Sequence, residues 1–234
     1  MKKENVLFYF MFFLLVLSSC NVTELGIEKQ ADENYAGVSI SDKKLEKEVN
    51  KIILNYNKEA RKLRLATIKS NLEDTRDAIA ILTPEQKEMV WMDKMVYTLQ
   101  YSEWNVEQYR LLVSIANQIN TDLFISGTKS NISFTEKFAP DWALKAKATF
   151  SDDEIIATVM DIDNFVYDNV NKVLVNSVVC NCYQSQDLCS SVRVCRPSTV
   201  EWPCSPKTSG CGLFTLFPCD GRCLFEGPNG TYYP

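Results

Sequence analysis

CNCYQSQDLCSSVRVCRPSTVEWPCSPKTSGCGLFTLFPCDGRC, residues 180–223, contains eight of the chain's nine cysteines. Between the ninth, Cys20, and Cys180 lie 159 residues with none. This segregation splits the 234-residue chain into two parts that different physics must stabilise. The cysteine-rich part, about 55 residues long, also carries five of the eight glycines and six of the eight prolines. Its apolar periodicity is weak, and only Val192–Val194 and Leu213–Phe217 read as short strands. A segment this small and this rich in turn-formers cannot hold itself together by burial alone, so it needs covalent staples.

Upstream the pattern is helical. Leu45, Val49, Ile52, Tyr56, Ala60 and Leu63 recur at spacings of three and four and predict an amphipathic helix. Thr83-Pro84-Glu85-Gln86 supplies an N-cap, a proline suited to the first helical position and a capping box. Val90, Trp91, Met95, Thr98 and Leu99 give that helix its apolar face. A further start at Asn105, with Gln108 three residues on, leads into Tyr109, Leu112, Val113, Ala116 and Ile119. A loop is expected around Gly127–Ser133 and a break at Pro140-Asp141-Trp142. Ser151-Asp152-Asp153-Glu154 is another capping box, ahead of Ile155, Ile156, Val159, Ile162, Val166 and Val170. Residues 41–175 therefore read as a domain of four to six helices, long enough to bury its own core. The predicted class is mainly α: a helical bundle, then a small disulfide-rich C-terminal domain, residues 176–234, with little regular structure.

The first twenty residues account for Cys20. Lys2 and Lys3 precede Val6–Leu17, twelve unbroken apolar residues. Such a run falls short of the about 20 residues of a membrane span and suits the core of a signal peptide. Leu17-Ser18-Ser19-Cys20 resembles the lipobox of bacterial lipoproteins, whose cysteine thiol is acylated and becomes the mature N-terminus. The resemblance implies residues 1–19 as a lipoprotein signal peptide, Cys20 as the lipidation site, and anchoring at about 0.8 kcal/mol per buried CH₂. An uncleaved anchor with an incidental cysteine is the alternative. Asn21 replaces the Asp that keeps enteric lipoproteins in the inner membrane, which favours the outer membrane. Residues 20–40, polar and without periodicity, read as a flexible tether.

Outside the cytoplasm, clustered cysteines pair. Cys180, Cys182, Cys189, Cys195, Cys204, Cys211, Cys219 and Cys223 allow four bridges in 105 combinations. At about 2 to 4 kcal/mol each they dominate the tail's stability. Cys180 is not expected to pair with Cys182, because the single intervening residue would strain the ring. Metal binding is the rival use. Zinc sites favour C-x₂₋₄-C pairs and usually include His, whereas the chain has no His and only Cys219 and Cys223 approach that spacing. No metal ligand or cofactor is expected.

Cys180-Asn181-Cys182, the six-residue gap to Cys189, the five-residue gap to Cys195 and Gly210-Cys211-Gly212 together resemble fulvocin C, a small four-disulfide bacteriocin. The likeness covers about 45 of the 234 residues. It is shared by fulvocin C-related lipoproteins of Bacteroidetes-type bacteria, which join a helical N-terminal region to such an end. The chain departs from the pattern in the longer gap between Cys195 and Cys204 and in the wider closing pair Cys219 and Cys223. The resemblance implies a bacteriocin-like precursor whose stapled tail acts against competing bacteria and is freed by proteolysis near Asn176–Val179. The helical region then serves as leader, folding aid or immunity-like partner, or as a plain stalk.

Composition narrows the function classes. Net charge is −5 with both signs interleaved and no basic patch, so nucleic acid is not an expected partner. Absence of His removes the commonest general base and the usual triads, which points away from an enzyme. No small-molecule substrate is evident. Asp161-Ile162-Asp163-Asn164 reads as a solvated helix face, and Glu73-Asp74 and Asp152-Asp153 as surface or capping charges. In the tail, Asp187, Glu201, Asp220 and Glu226 balance Arg193, Arg196, Lys207 and Arg222, so cationic attraction to anionic lipid is not its route. Trp202, Phe214, Leu216, Phe217 and Phe225 are the candidate contacts with a membrane, an envelope component of a target cell or a protein; packing against the disulfides is the other use of these side chains. A surface binding module or protease-inhibitor-like knob that is never released is the second functional reading.

Overall fold

The computed structural model describes residues 37–54, 57–70, 75–100, 103–162, 180, 182–185, 189, 193–199, 203–227 and 232–233. The expected signal peptide, Cys20, most of the tether, Tyr56, Glu73-Asp74, Val166, Val170 and the 176–179 junction lie outside the described residues. Residues Gly37–Pro234 form one unit.

Side-chain caps set where the helices begin. Asp42 Oδ1 accepts from the amides of Lys44 and Leu45 at 3.1 Å each and starts α1, Lys43–Leu54. Asn57 Oδ1 accepts from the amide of Glu59 at 2.9 Å and starts α2, Lys58–Ser70. The run Leu45–Leu63, expected as one helix, is thus two, because Asn57 satisfies the orphan donors of a new N-terminus. After α3, Thr75–Ala80, the capping box of Thr83 and Gln86 opens α4, Pro84–Leu99. The equivalent pair Asn105 and Gln108 opens α5, Val106–Ala116. Val90, Trp91, Met95, Leu99, Tyr109, Leu112, Val113, Ala116 and Ile119 all point into the core.

Residues 129–147 correct two expectations. Thr128 Oγ1 accepts from the amide of Asn131 and opens α6, Lys129–Ser133, where a loop is expected. Nor does Pro140 break the helix. A π turn over Phe134–Phe138 leads into α7, Ala139–Lys147, with the amide of Ala139 bonded to the carbonyl of Phe134. The wider turn accommodates a proline that lacks an N–H and would otherwise crowd the carbonyl four residues back. Trp142, buried, donates its Nε1–H to the carbonyl of Leu111 at 2.9 Å and ties α7 to α5. Ser151 and Glu154 cap α8, Asp152–Ile155, which ends in a second π turn, Ile156–Met160.

The tail is more regular than expected. Strands β1 (Arg193–Pro197), β4 (Gly221–Glu226) and β5 (Tyr232–Tyr233) form an antiparallel sheet in the order β1-β4-β5. A second sheet is the hairpin of β2 (Lys207–Cys211) and β3 (Phe217–Cys219). The predicted strand Leu213–Phe217 is a strand only at its last residue. Leu213–Thr215 is a short 3₁₀ turn at the hairpin tip. No helix among the described residues is long and apolar enough to cross a membrane.

Among the described residues, an ion pair is buried between α2 and α4. Arg64 Nε donates to Asp93 Oδ2 at 2.6 Å, both side chains are 1% exposed, and Arg64 Nη1 donates to the carbonyl of Ile162 at 2.8 Å. Burial pushes the Asp93 carboxyl above its usual range, while the Arg64 guanidinium opposes that shift. Truncation of Arg64 removes the hydrogen-bonded partner of Asp93 in a buried site and leaves only the charges of Lys94 and Arg61 to offset its burial. Arg64→Ala is expected to cost about 3 to 5 kcal/mol in denaturant unfolding, and the double replacement Arg64→Met with Asp93→Leu distinctly less.

The segment before α1 is held by two side chains. Glu46 Oε2 accepts the amide of Ile40 at 2.7 Å, and Asn50 pairs with both backbone groups of Val38. The Ile40 amide and the Lys43 ammonium hold the Glu46 carboxyl below its ordinary value. The Leu45 amide and the Arg110 guanidinium do the same for Asp42. Both carboxylates therefore stabilise the fold fully above about pH 4.5 and lose that contribution as pH falls through their lowered values. Hydrogen exchange of the Ile40 amide is expected to be slow at pH 6 and, after correction for intrinsic rates, to lose protection towards pH 3.

Candidate functional site: the stapled tail and its helical seat

The eight tail cysteines form four bridges, Cys180–Cys204, Cys182–Cys195, Cys189–Cys223 and Cys211–Cys219. They gather into two nuclei. Cys180, Cys204, Cys211 and Cys219 pack with Tyr183, whose ring stacks on Phe217 at 5.1 Å. Cys182, Cys189, Cys195 and Cys223 make the other. In so short a segment the sulfurs take the place of an aliphatic core.

The second nucleus follows from strand register. Cys195 of β1 lies directly opposite Cys223 of β4, yet the two are not bonded to each other. Each reaches out to the preceding segment instead, Cys195 to Cys182 and Cys223 to Cys189. That segment is clamped onto the sheet at two points. Cys182 also pairs through its backbone with Gly221, the amide of Cys182 donating to the Gly221 carbonyl at 3.2 Å. A Cβ at Gly221 would stand 2.7 Å from the Arg196 carbonyl and 2.8 Å from Cys195 Sγ, so only glycine lets the chains cross here. The Sγ atoms of Cys182, Cys189 and Cys223 lie within 4.8 Å of one another. Each belongs to a disulfide, so this group offers thiolates to a metal only after reduction.

The first nucleus carries the tip of the β2–β3 hairpin. Gly212 begins the tip with φ +65°, and Phe214 and Thr215 follow with φ of 54° and 58°. Left-handed backbone at two successive side-chain-bearing residues costs about 1 to 2 kcal/mol each and persists only where packing enforces it. Here the enforcement comes from the helices. The Phe214 ring sits 5.0 Å from Trp91 of α4 and 5.8 Å, stacked, from Phe134 at the start of the first π turn. Leu213 and Phe214 are both 0% exposed. The Ile156–Met160 π turn closes over the same tip, and α3 packs along β2, where Lys207 Nζ meets Asp77 Oδ1 at 2.7 Å.

The candidate contact residues consequently fall into separate groups. Phe214 and Phe217 are buried inside the protein, the first in the helical seat and the second under Tyr183. Leu216 is half-buried. Phe225, half-buried, lies 4.2 Å beneath the Arg193 guanidinium. Trp202 and the acidic pair Asp187 and Glu201 lie outside the described residues. Arg196 and Arg222 face each other across β1 and β4, and Arg222 Nη1 donates to the Pro203 carbonyl at 3.4 Å. Asp220 Oδ1 accepts the amide of Gln184 at 2.8 Å and closes the turn after Cys182. Of the acidic groups marked in the sequence, Asp152 and Asp153 occupy the first turn of α8, whereas Asp161, expected on a solvated helix face, follows the second π turn in extended backbone beside the buried Ile162 and accepts from Thr75 Oγ1 at 3.4 Å.

Sequence reasoning missed the seat. Trp91 reads as a core residue at helical spacing, and nothing in that pattern tells a helix partner from a hairpin tip; Phe134 lies between the expected loop and the expected break at Pro140 and carries no mark in the sequence. Gly-Cys-Gly ahead of Leu213-Phe214 is the one local signal, since glycines flank backbone that must turn sharply.

Fold and site together define a helical protein with a covalently closed, two-sheet C-terminal knob plugged into its helical core. Comparison with protein-family models, with curated proteins and with solved structures finds no match. Gly221→Ala is expected to prevent the Cys182–Cys195 bridge from forming in register. Mass analysis after alkylation without reduction should detect free thiols or mispaired peptides in that variant and not in Gly221→Ala's wild-type parent.

Proposed function

We propose that this chain is a fulvocin C-related, lipid-anchored, bacteriocin-like protein of the cell envelope, without enzymatic activity, whose stapled tail acts on the envelope of competing bacteria. One observation carries the reading. All four bridges lie on the C-terminal side of the 176–179 junction, and none ties the tail to the helical region. A cut at that junction releases no sulfur partner and leaves a peptide with every bridge intact. Rigidity of this kind protects a short peptide from proteolysis and presents a fixed surface at low entropic cost. The zero net charge of the tail favours an apolar or protein contact over attraction to anionic lipid.

The burial of Phe214 in the helical seat supports a second reading, a surface-anchored binding knob that is never released. Antibody against the tail separates the two: a short fragment in the medium supports the first, and only full-length chain on cells supports the second. The oxidised tail is expected to inhibit growth of related bacteria and to lose that effect on reduction. Inert oxidised tail at high concentration overturns the first reading. Intact mass of the cell-associated protein is expected to carry acyl chains on Cys20.

A further inference from the structure

Backbone cleavage at the 176–179 junction would free the tail only if no other contact held it. The hairpin tip is a structural member of the helical core. Phe214 fills the space between Trp91, 0% exposed, and Phe134, 2% exposed, with Leu213 beside it, also 0% exposed. The second π turn packs on the same tip, and a charge pair, Lys207 with Asp77, flanks the seam at 2.7 Å. None of these contacts is made by residues 176–179.

The tip's backbone supports the same conclusion. Phe214 and Thr215 hold left-handed φ values that disfavour L side chains, and the seat is what the ring gains by adopting them. Outside the seat, the Leu213–Leu216 tip would relax and place three apolar side chains, Leu213, Phe214 and Leu216, in water within the loop closed by the Cys211–Cys219 bridge. Such a tip seeks apolar surface.

We infer that the helical region is a binding partner for the tail. The cleaved tail stays docked through Phe214, and the helices mask the apolar tip until a competing surface takes it. Docking is independent of what the tail does; its consequence, that proteolysis alone does not arm the tail, rests on the bacteriocin-like reading.

The test uses the full chain with Cys20→Ser, to avoid lipid, and a site-specific protease sequence placed between Asn176 and Val179. After cleavage in oxidising native buffer, the two fragments are expected to co-elute on size exclusion at micromolar concentration and to separate only in denaturant. Phe214→Ala is expected to raise the dissociation constant of the nicked pair by about 100-fold or more, as for other buried aromatics. Asp77→Ala should raise it by less than about fivefold, as for an exposed ion pair. Intact mass reports whether all four bridges are retained in every sample. Spontaneous separation of the wild-type fragments with bridges intact overturns the inference, and so does a Phe214→Ala pair that holds as tightly as wild type. Should Phe214→Ala not fold, the nicked wild-type protein decides alone. A growth-inhibition assay on the eluted fractions keeps the two ideas apart. A tail that leaves unaided and kills refutes the docking alone, whereas a tail that stays docked and is inert once separated refutes only the bacteriocin-like reading.

Discussion

The placement of Phe214 between Trp91 and Phe134 is the contact on which the rest of the molecule turns. It joins two regions built on unlike principles. Upstream, amphipathic helices bury aliphatic and aromatic faces, and side-chain caps fix their limits. Downstream, sulfur replaces the aliphatic core, because about 55 residues rich in Gly and Pro have too little apolar surface to close on themselves. A single aromatic ring inserted from one into the other makes each region part of the other's interior. The left-handed backbone at the hairpin tip follows from that insertion, as does the packing of both π turns near the seam.

Within the tail, strand register and sulfur pairing depend on each other. Cys195 and Cys223 face one another across β1 and β4, but bonding them directly would leave Cys182 and Cys189 to pair together and free the segment that carries them. The observed links draw that segment onto the sheet, and Gly221 provides the gap through which it passes. A side chain at position 221 would push against the very bridge that holds the segment.

The helical half was legible where its signals are local. Thr83 with Gln86, Asn105 with Gln108 and Ser151 with Glu154 are short-range pairs whose spacing alone announces a helix start, and each forms in the structure. What escaped depends on partners far apart in the chain. Arg64 looks like one more surface charge in a Lys- and Arg-rich stretch until Asp93 and the Ile162 carbonyl surround it. Pro140 reads as a stop because its effect on an α-helix is well defined, whereas a π turn upstream that absorbs it leaves no mark in composition. Leu213–Phe217 has the apolar character of a strand, yet the helical seat bends it into a turn. The eight cysteines announce a disulfide framework, but two of the bridges follow from the register of β1 on β4, which no spacing encodes.

Chains are synthesised from the N-terminus, and this gives the position of Phe214 a temporal meaning. Trp91 and Phe134 are made well before the ring they seat, which comes only at residue 214 of 234. Until then the helical half is an unfinished receptor, and its own last core side chain is still to come. A ribosome that stalls before that point therefore leaves a product marked by an open hydrophobic notch, a built-in signature of incompleteness.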